Sequence, residues 1–205
     1  MVARDGERTK ESILGAAEDL FARQGFERTS MQQVGEAAGV ARSTPAYFFH
    51  SKEALYEAVL ARAVARAEEG VAAAHDGDHE HRSPEEAAES YVNALIDLLG
   101  RDQNLVRLIQ RESLGDGSRV AEFLGRLADD AVETLTPAAR QASVSPQRLV
   151  LSLIALCWYP IAHEHTLLPA LGMKPRDPAF LEEQKRHLAE LVRAMTRAPG
   201  AEPQK

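Results

Sequence analysis

After a Ser145-Pro146 start, Leu149, Val150, Leu151, Leu153, Ile154, Leu156, Trp158 and Ile161 fall at spacings that leave a helix hardly any polar face. Such a helix must be covered on nearly all sides. A second helix begins at Asp177-Pro178 and carries Leu181, Leu188, Leu191, Val192 and Met195, with Glu182-Glu183 early and Arg193 and Arg197 late, as the helix dipole prefers. A chain of 205 residues struggles to bury both by itself. A homodimer in which each protomer contributes the helices at about 145–168 and 178–197 to a four-helix bundle solves the problem. The apolar stretch Leu149 to Ala162 is too short and too interrupted to span a bilayer, and MVARDGERTKESI lacks an apolar signal core. Cys157 is the only cysteine, which leaves no intrachain disulfide and fits a reducing compartment. The expectation is a soluble, cytoplasmic protein with no membrane partner.

The remaining periodicity is helical throughout. Ala, Leu, Glu and Arg dominate, β-branched runs are short, and hydrophobic residues make up 44% of the chain, so the predicted fold class is all-α. A first helix is predicted from about Arg8 to Gln24, with Ile13, Ala16, Ala17, Leu20 and Phe21 on one face and Gly25 as its stop. A long helix starts at Ser51 and ends before the polar segment His75 to His81. Ser83-Pro84-Glu85-Glu86 opens the next, which buries Tyr91, Leu95 and Leu98-Leu99 and ends at Gly100. Helices from Asp102 to Leu114 and from Ser118 to Thr136 follow, the latter stopped by Pro137.

Between Thr29 and Leu55 the pattern is more specific. Ser30 precedes Gln33 by three residues, a capping-box pair, and Met31, Val34, Ala37 and Ala38 form an apolar stripe ended by Gly39. Val40 re-enters the core, and Ser43-Thr44 cap a second short helix in which Pro45 fits only the first turn. Two short helices joined by a tight glycine turn outline a helix-turn-helix. Its second helix is the one that enters a major groove.

The segment resembles the DNA-binding domain of tetracycline-repressor (TetR) family transcription regulators. The likeness runs from Thr9-Lys10-Glu11-Ser12-Ile13-Leu14 and Ala16-Ala17, through Leu20-Phe21 and Gly25-Phe26, to Thr29, Ala38-Gly39-Val40, Thr44, Phe49, Ser51-Lys52-Glu53 and Leu55, about a quarter of the chain. The chain departs from the family pattern where Ser43 replaces a usual glycine, Pro45 a leucine and Ala46 a tyrosine. The resemblance implies an N-terminal three-helix DNA-binding domain at residues 1–52 and a helical effector-binding and dimerisation domain at 53–198, and the composition of residues 199–205, PGAEPQK, reads as a disordered tail. It further implies a homodimeric regulator, released from double-stranded operator DNA by a small-molecule effector.

The net charge of −7 is unusual for a DNA reader, but residues 1–66 carry nine Lys/Arg and nine Asp/Glu. Local placement, not bulk charge, must therefore carry phosphate binding. The candidate DNA contacts are Ser30, Gln32 and Gln33 on the first short helix, then Arg42, Ser43, Thr44, Tyr47, Phe48 and Lys52. Arg42 offers a planar fork for guanine edges or phosphate, Ser43 and Thr44 offer hydroxyls, and Tyr47 a phenol. Phe48 suits a thymine methyl, Lys52 a phosphate, and Phe49 the core.

In the C-terminal body the candidate effector-lining residues are Tyr91, Leu95, Leu108, Arg111, Trp158, Tyr159 and His163. His75, His79 and His81 stand among Asp76, Asp78 and Glu80, all competent metal ligands, but a polar connector gives them no fixed geometry. No metal or cofactor is expected. Cys157 lies in an apolar run, where a thiol is inert packing, and no catalytic constellation appears, so no enzyme is predicted. The rival reading is a helical small-molecule- or metal-binding protein that has lost operator binding, for which Pro45, Ala46 and the acidity speak.

Overall fold

The computed structural model describes residues 2–75, 82–115, 117–175 and 177–196. Among them stand ten helices and no strand: α1 (Val2–Arg28), α2 (Met31–Ala37), α3 (Thr44–Phe49), α4 (Lys52–His75), α5 (Pro84–Arg101), α6 (Gln103–Ser113), α7 (Ser118–Gln141), α8 (Pro146–Ala162), α9 (Leu167–Ala170) and α10 (Pro178–Thr196). The expected all-α class is observed. Two compact units form, Met1–Arg66 with Gln103–Glu122 and Ala67–Asp102 with Phe123–Lys205, so α4 and α7 each contribute to both. The segment 76–81, with His79 and His81, and the tail from 199 lie outside the described residues.

In the first unit α1 buries Ile13, Ala17 and Phe21 at four-residue steps, one face of a 3.6-residue helix. Phe21 meets Tyr56 of α4 edge-on at 4.8 Å and Phe26 at 6.0 Å. Gly25 interrupts α1 as expected, with φ 83 and ψ 171, although the helix begins earlier than Arg8 and a further turn reaches Arg28. α6 packs on α1 and brings the fully buried Leu108 with it. Glu18, 5% exposed, is clamped by Arg62 at 2.6 Å and Arg66 at 2.7 Å. Burying a lone carboxylate costs several kcal/mol, so the two guanidinium groups make this position tolerable and lock α1 to α4.

The second unit packs α5 against α8 and α10. Its start is fixed locally: the Ser83 N–H donates to Glu86 Oε2 at 2.7 Å and the Glu86 N–H to Ser83 Oγ at 3.2 Å. That backbone donor, helped by the Ser83 hydroxyl, holds the Glu86 carboxyl below its usual range. Val92, Ile96 and Leu99 of α5 are buried, as are Leu153 and Cys157 of α8 and Leu188 and Val192 of α10. Charge stitches the α5–α10 seam at its wet edges, where Arg193 reaches Glu89 at 2.7 Å and Lys185 reaches Asp97 at 2.8 Å.

Three further expected boundaries move. α5 runs past Gly100 to Arg101, because Gly100 lies under Leu181 of α10 rather than in a cap. α7 passes through Pro137 and ends at Gln141, since Ala131, Leu135, Ala138 and Ala139 form one buried stripe that continues beyond the proline. Its true stop is Ser143, in the left-handed region at φ 55, with Val144 N–H closing on Ala139 O at 3.0 Å. α8 ends at Ala162 instead of near 168, followed by a turn and α9. Inside α8, Pro160 lacks the N–H that Leu156 O would accept, and Gln184 Nε2 of α10 donates to that carbonyl at 3.1 Å.

α8 is covered on one side only. Leu149, Val150, Leu153 and Cys157 are buried, whereas Leu151 is 69% exposed and Leu156 and Tyr159 are also open to solvent. No single helix among the described residues is long and apolar enough to cross a membrane.

Candidate nucleic-acid interface

The helix-turn-helix is built from local rules. Ser30 N–H donates to Gln33 Oε1 at 2.9 Å and Gln33 N–H to Ser30 Oγ at 3.2 Å, so the predicted capping box is present. Gln24 Nε2 approaches the same Gln33 oxygen at 3.4 Å. Ser30 and Gln33 are thus committed to holding α2, while Gln32 is exposed. At the far end Gly39 takes φ 70, with Val40 N–H bonded to Gly35 O at 3.0 Å and Gly39 N–H to Glu36 O at 3.2 Å, a Schellman closure. Ser12 Oγ donates to Ala38 O at 3.1 Å and ties the turn to α1.

Gly35 is a packing position that sequence reasoning passed over. A Cβ there would stand 3.1 Å from both Ala41 O and Arg42 Cα and 3.4 Å from Pro45 Cδ. Only glycine lets the turn and the start of α3 settle on α2 so closely. Pro45 is buried against this spot, and it occupies the first turn of α3, whose first residue is Thr44. The departure from the family pattern at Pro45 is therefore accommodated by packing as well as by backbone geometry. Phe49 is buried, as expected of a core aromatic, with Lys10 Nζ 5.9 Å from its ring centroid.

With Pro45 and Phe49 inward, the opposite side of α3 is open. Tyr47 is 78% exposed, its ring edge-on to Phe48 at 5.4 Å, and Thr44 and Phe48 are half-buried. Arg42 and Ser43 are exposed on the turn, and Arg42 Nη2 pairs with Glu36 Oε1 at 2.6 Å. Ser43 makes no side-chain cap bond, which leaves its hydroxyl available. His50, exposed and left-handed at φ 64, closes α3 one turn after Tyr47. It stands on the exposed side that carries Ser43, Ala46 and Tyr47 and is not among the expected contacts. Lys52 stands apart: its Nζ donates to Phe26 O at 3.0 Å and lies 4.2 Å from the Phe26 ring centroid. That ammonium is engaged inside the first unit.

The candidate effector-lining residues divide. Leu108 and Arg111 belong to the first unit, where Arg111 Nε donates to Ala22 O at 3.0 Å and Nη2 to Arg23 O. The other five are in the second. Tyr91 is buried, and burial first, then the nearby Cys157 and Asp130, raises its phenol above the ordinary range. Burial alone pushes the Cys157 thiol up to about 12, in keeping with inert packing. Leu95 and Trp158 are half-buried, while Tyr159 and His163 are exposed with rings 4.5 Å apart. An open cavity of about 450 Å³ in this unit is lined by Glu164, His165, Pro169, Gly172, Met173, Lys174 and Pro175. None of these was anticipated, because the stretch after α8 has no apolar period to mark it. Among the described residues no three His, Cys, Asp or Glu side chains gather as a metal site.

Comparison with known proteins agrees with this geometry. Residues 13–59 match the family described as bacterial regulatory proteins, tetR family, and residues 84–192 match the tetracyclin repressor-like C-terminal domain. The HTH-type transcriptional regulator RutR of Escherichia coli (strain K12) is 51% identical over 51 residues, 25% of this chain and 24% of that protein. In that alignment the chain spans about a quarter of its relative's length. The HTH-type transcriptional repressor NicS of Pseudomonas putida is 27% identical over 185 residues, 85% of this chain and 86% of NicS. Among solved structures, the ketosteroid transcriptional regulator KstR2 of Mycobacterium tuberculosis superposes with a TM-score of 0.70 at 15% identity, over 92% of this chain and 95% of that one.

Proposed function

The chain belongs to the TetR family of bacterial transcriptional regulators, and from that membership we propose that it is a homodimeric repressor released from a palindromic operator by a small ligand. One observation carries the DNA reading: Pro45 and Phe49 anchor α3 inward, so Tyr47 and its neighbours face solvent on a frame fixed at both ends by a capping box and a glycine turn. In this reading Arg42, Ser43, Thr44 and Tyr47 make the principal contacts, with Gln32 on a phosphate and Phe48 against a thymine methyl. Ser30, Gln33 and Lys52 serve by holding the frame. The rival reading loses its main support, because Pro45 is built into the α2–α3 packing.

The uncovered apolar side of α8 supports pairing of α8 and α10 with a second copy, which would cover Leu151, Leu156 and Tyr159. The effector is proposed to bind the second unit near Tyr91, Leu95, Trp158, Tyr159 and His163. A ligand that prefers one spacing of the two reading heads then weakens binding to an operator of fixed half-site spacing. The site of action is the cytoplasm, where operator DNA is found.

The test is a mobility-shift titration with the DNA beside the protein's own gene, at several salt concentrations. Sequence-dependent, salt-sensitive binding is expected, and Arg42→Ala with Tyr47→Ala abolishes the specific part. Absence of any sequence preference in the wild-type dimer refutes the reading.

A further inference from the structure

The break in α1 at Gly25 interrupts helical bonding just where the chain turns toward α2. A helix end leaves carbonyls without intrahelical donors, and a cationic side chain can satisfy them. Here the donor comes from α6: Arg111 gives Nε to Ala22 O at 3.0 Å and Nη2 to Arg23 O. The seat exists because residue 25 has no side chain, since a Cβ on Gly25 would stand 3.0 Å from Arg111 Nη1 and 3.6 Å from its Cζ. The next residue is gripped as well. Phe26 has Lys52 Nζ 4.2 Å from its ring centroid and Arg119 Cζ, from α7, at 5.5 Å. Arg119 is oriented by Glu112 at 3.5 Å, whose carboxylate also accepts the Tyr56 hydroxyl at 2.7 Å. Three residues beyond Phe26, Thr29 N–H bonds back to Phe26 O at 3.2 Å, and Ser30 then caps α2.

We infer that Arg111 is a positioning residue: its fork, seated over Gly25, sets the direction in which α1 delivers the chain into α2 and α3, and so sets operator affinity without touching DNA. A planar fork meets two adjacent carbonyls at once, which a point-charge ammonium does not. The residues concerned lie 60 or more positions after α3, in the stretch matched by the C-terminal family model, so the helix-turn-helix depends for its alignment on a part of the chain outside the N-terminal model. The affinity claim rests on the operator reading above; the alignment claim does not.

The experiment compares wild type, Arg111→Ala and Arg111→Lys as full-length dimers in two assays. Hydrogen exchange without DNA reads the amides of residues 26–38, and operator titration across salt reads affinity and its salt slope. Faster exchange in that window is expected for Arg111→Ala, with operator binding weakened about tenfold or more, the salt slope unchanged, and only partial recovery in Arg111→Lys. A slope reduced by about one contact's worth would make Arg111 a phosphate ligand and overturn the inference. So would unchanged exchange, or loss of global helicity in both variants, which would make it simply part of the core. Gly25→Ala, which crowds the guanidinium at 3.0 Å and strains the backbone at φ 83, combined with Arg111→Ala should bind no more weakly than the worse single variant. If the wild type binds no operator, the proposed function fails while the exchange data still decide the alignment.

Discussion

Glu36→Gln should tighten operator binding, and the structure bounds by how much. Arg42 and Glu36 pair at 2.6 Å with side chains 70% and 53% exposed, so Arg42 must leave this carboxylate to meet DNA. Exposed pairs of this kind contribute roughly 0–1 kcal/mol, which limits the gain from freeing Arg42 to about fivefold in Kd. Removing a negative charge from the face that approaches phosphates acts in the same direction, and that part fades as salt rises. Fluorescence anisotropy with a labelled operator duplex, from about 50 to about 200 mM salt, measures both effects. The decisive comparison is a double-mutant cycle. In an Arg42→Ala background the released partner is gone, so at about 200 mM salt, where the general charge effect is largely screened, most of the Glu36→Gln gain should vanish. Arg42→Ala alone should lower the salt slope by about 0.9 if the fork takes a phosphate, or cost about 1–3 kcal/mol of base discrimination if it takes a guanine. An equal gain in both backgrounds, or weaker binding by Glu36→Gln, would refute the role given to Arg42.

Three further outcomes are expected. Glu18→Ala removes the buried carboxylate that joins Arg62 and Arg66, while Arg62 keeps its bond to Glu11 at 3.1 Å; a loss of about 1–3 kcal/mol is expected after discounting the part-exposed guanidinium groups, read as a lower urea midpoint. Gly35→Ala drives a Cβ against the backbone of Ala41 and Arg42 at 3.1 Å, for about 1–3 kcal/mol in stability and a loss of operator affinity at unchanged helicity; wild-type binding by this variant would contradict the packing argument. Cys157 should resist alkylation at pH 8 until denaturant is added. Its pKa is raised from 9.0 to about 12, so the thiol's contribution is complete below pH 9 and declines as pH climbs toward 12, because the unfolded chain loses that proton first. Cys157→Ala should remove that part of the alkaline decline.

What could be read from the linear chain lies within about four residues of itself. The capping boxes at Ser30/Gln33 and Ser83/Glu86, the break at Gly25, the turn at Gly39 and the proline start of α8 each depend on near neighbours, and the structure contains all of them. The all-α class follows from the same periodicity, whereas the inward Phe49 is what the family resemblance implies. Tertiary structure decided the rest, because there the partner is remote in the chain. Pro137 reads as a stop until one sees the buried stripe that continues past it, and Pro160 is tolerated because Gln184 satisfies the carbonyl it orphans. Lys52 reads as a phosphate ligand in the chain, and the fold adds a bond from its ammonium to Phe26 O, 26 residues back. Arg111 reads as a pocket candidate in the chain, and the fold sets its fork on Ala22 and Arg23, almost 90 residues away. Local bonding rules are written in spacing; which distant carbonyl or ring a charge will settle on is set by where packing places it, and no spacing records that.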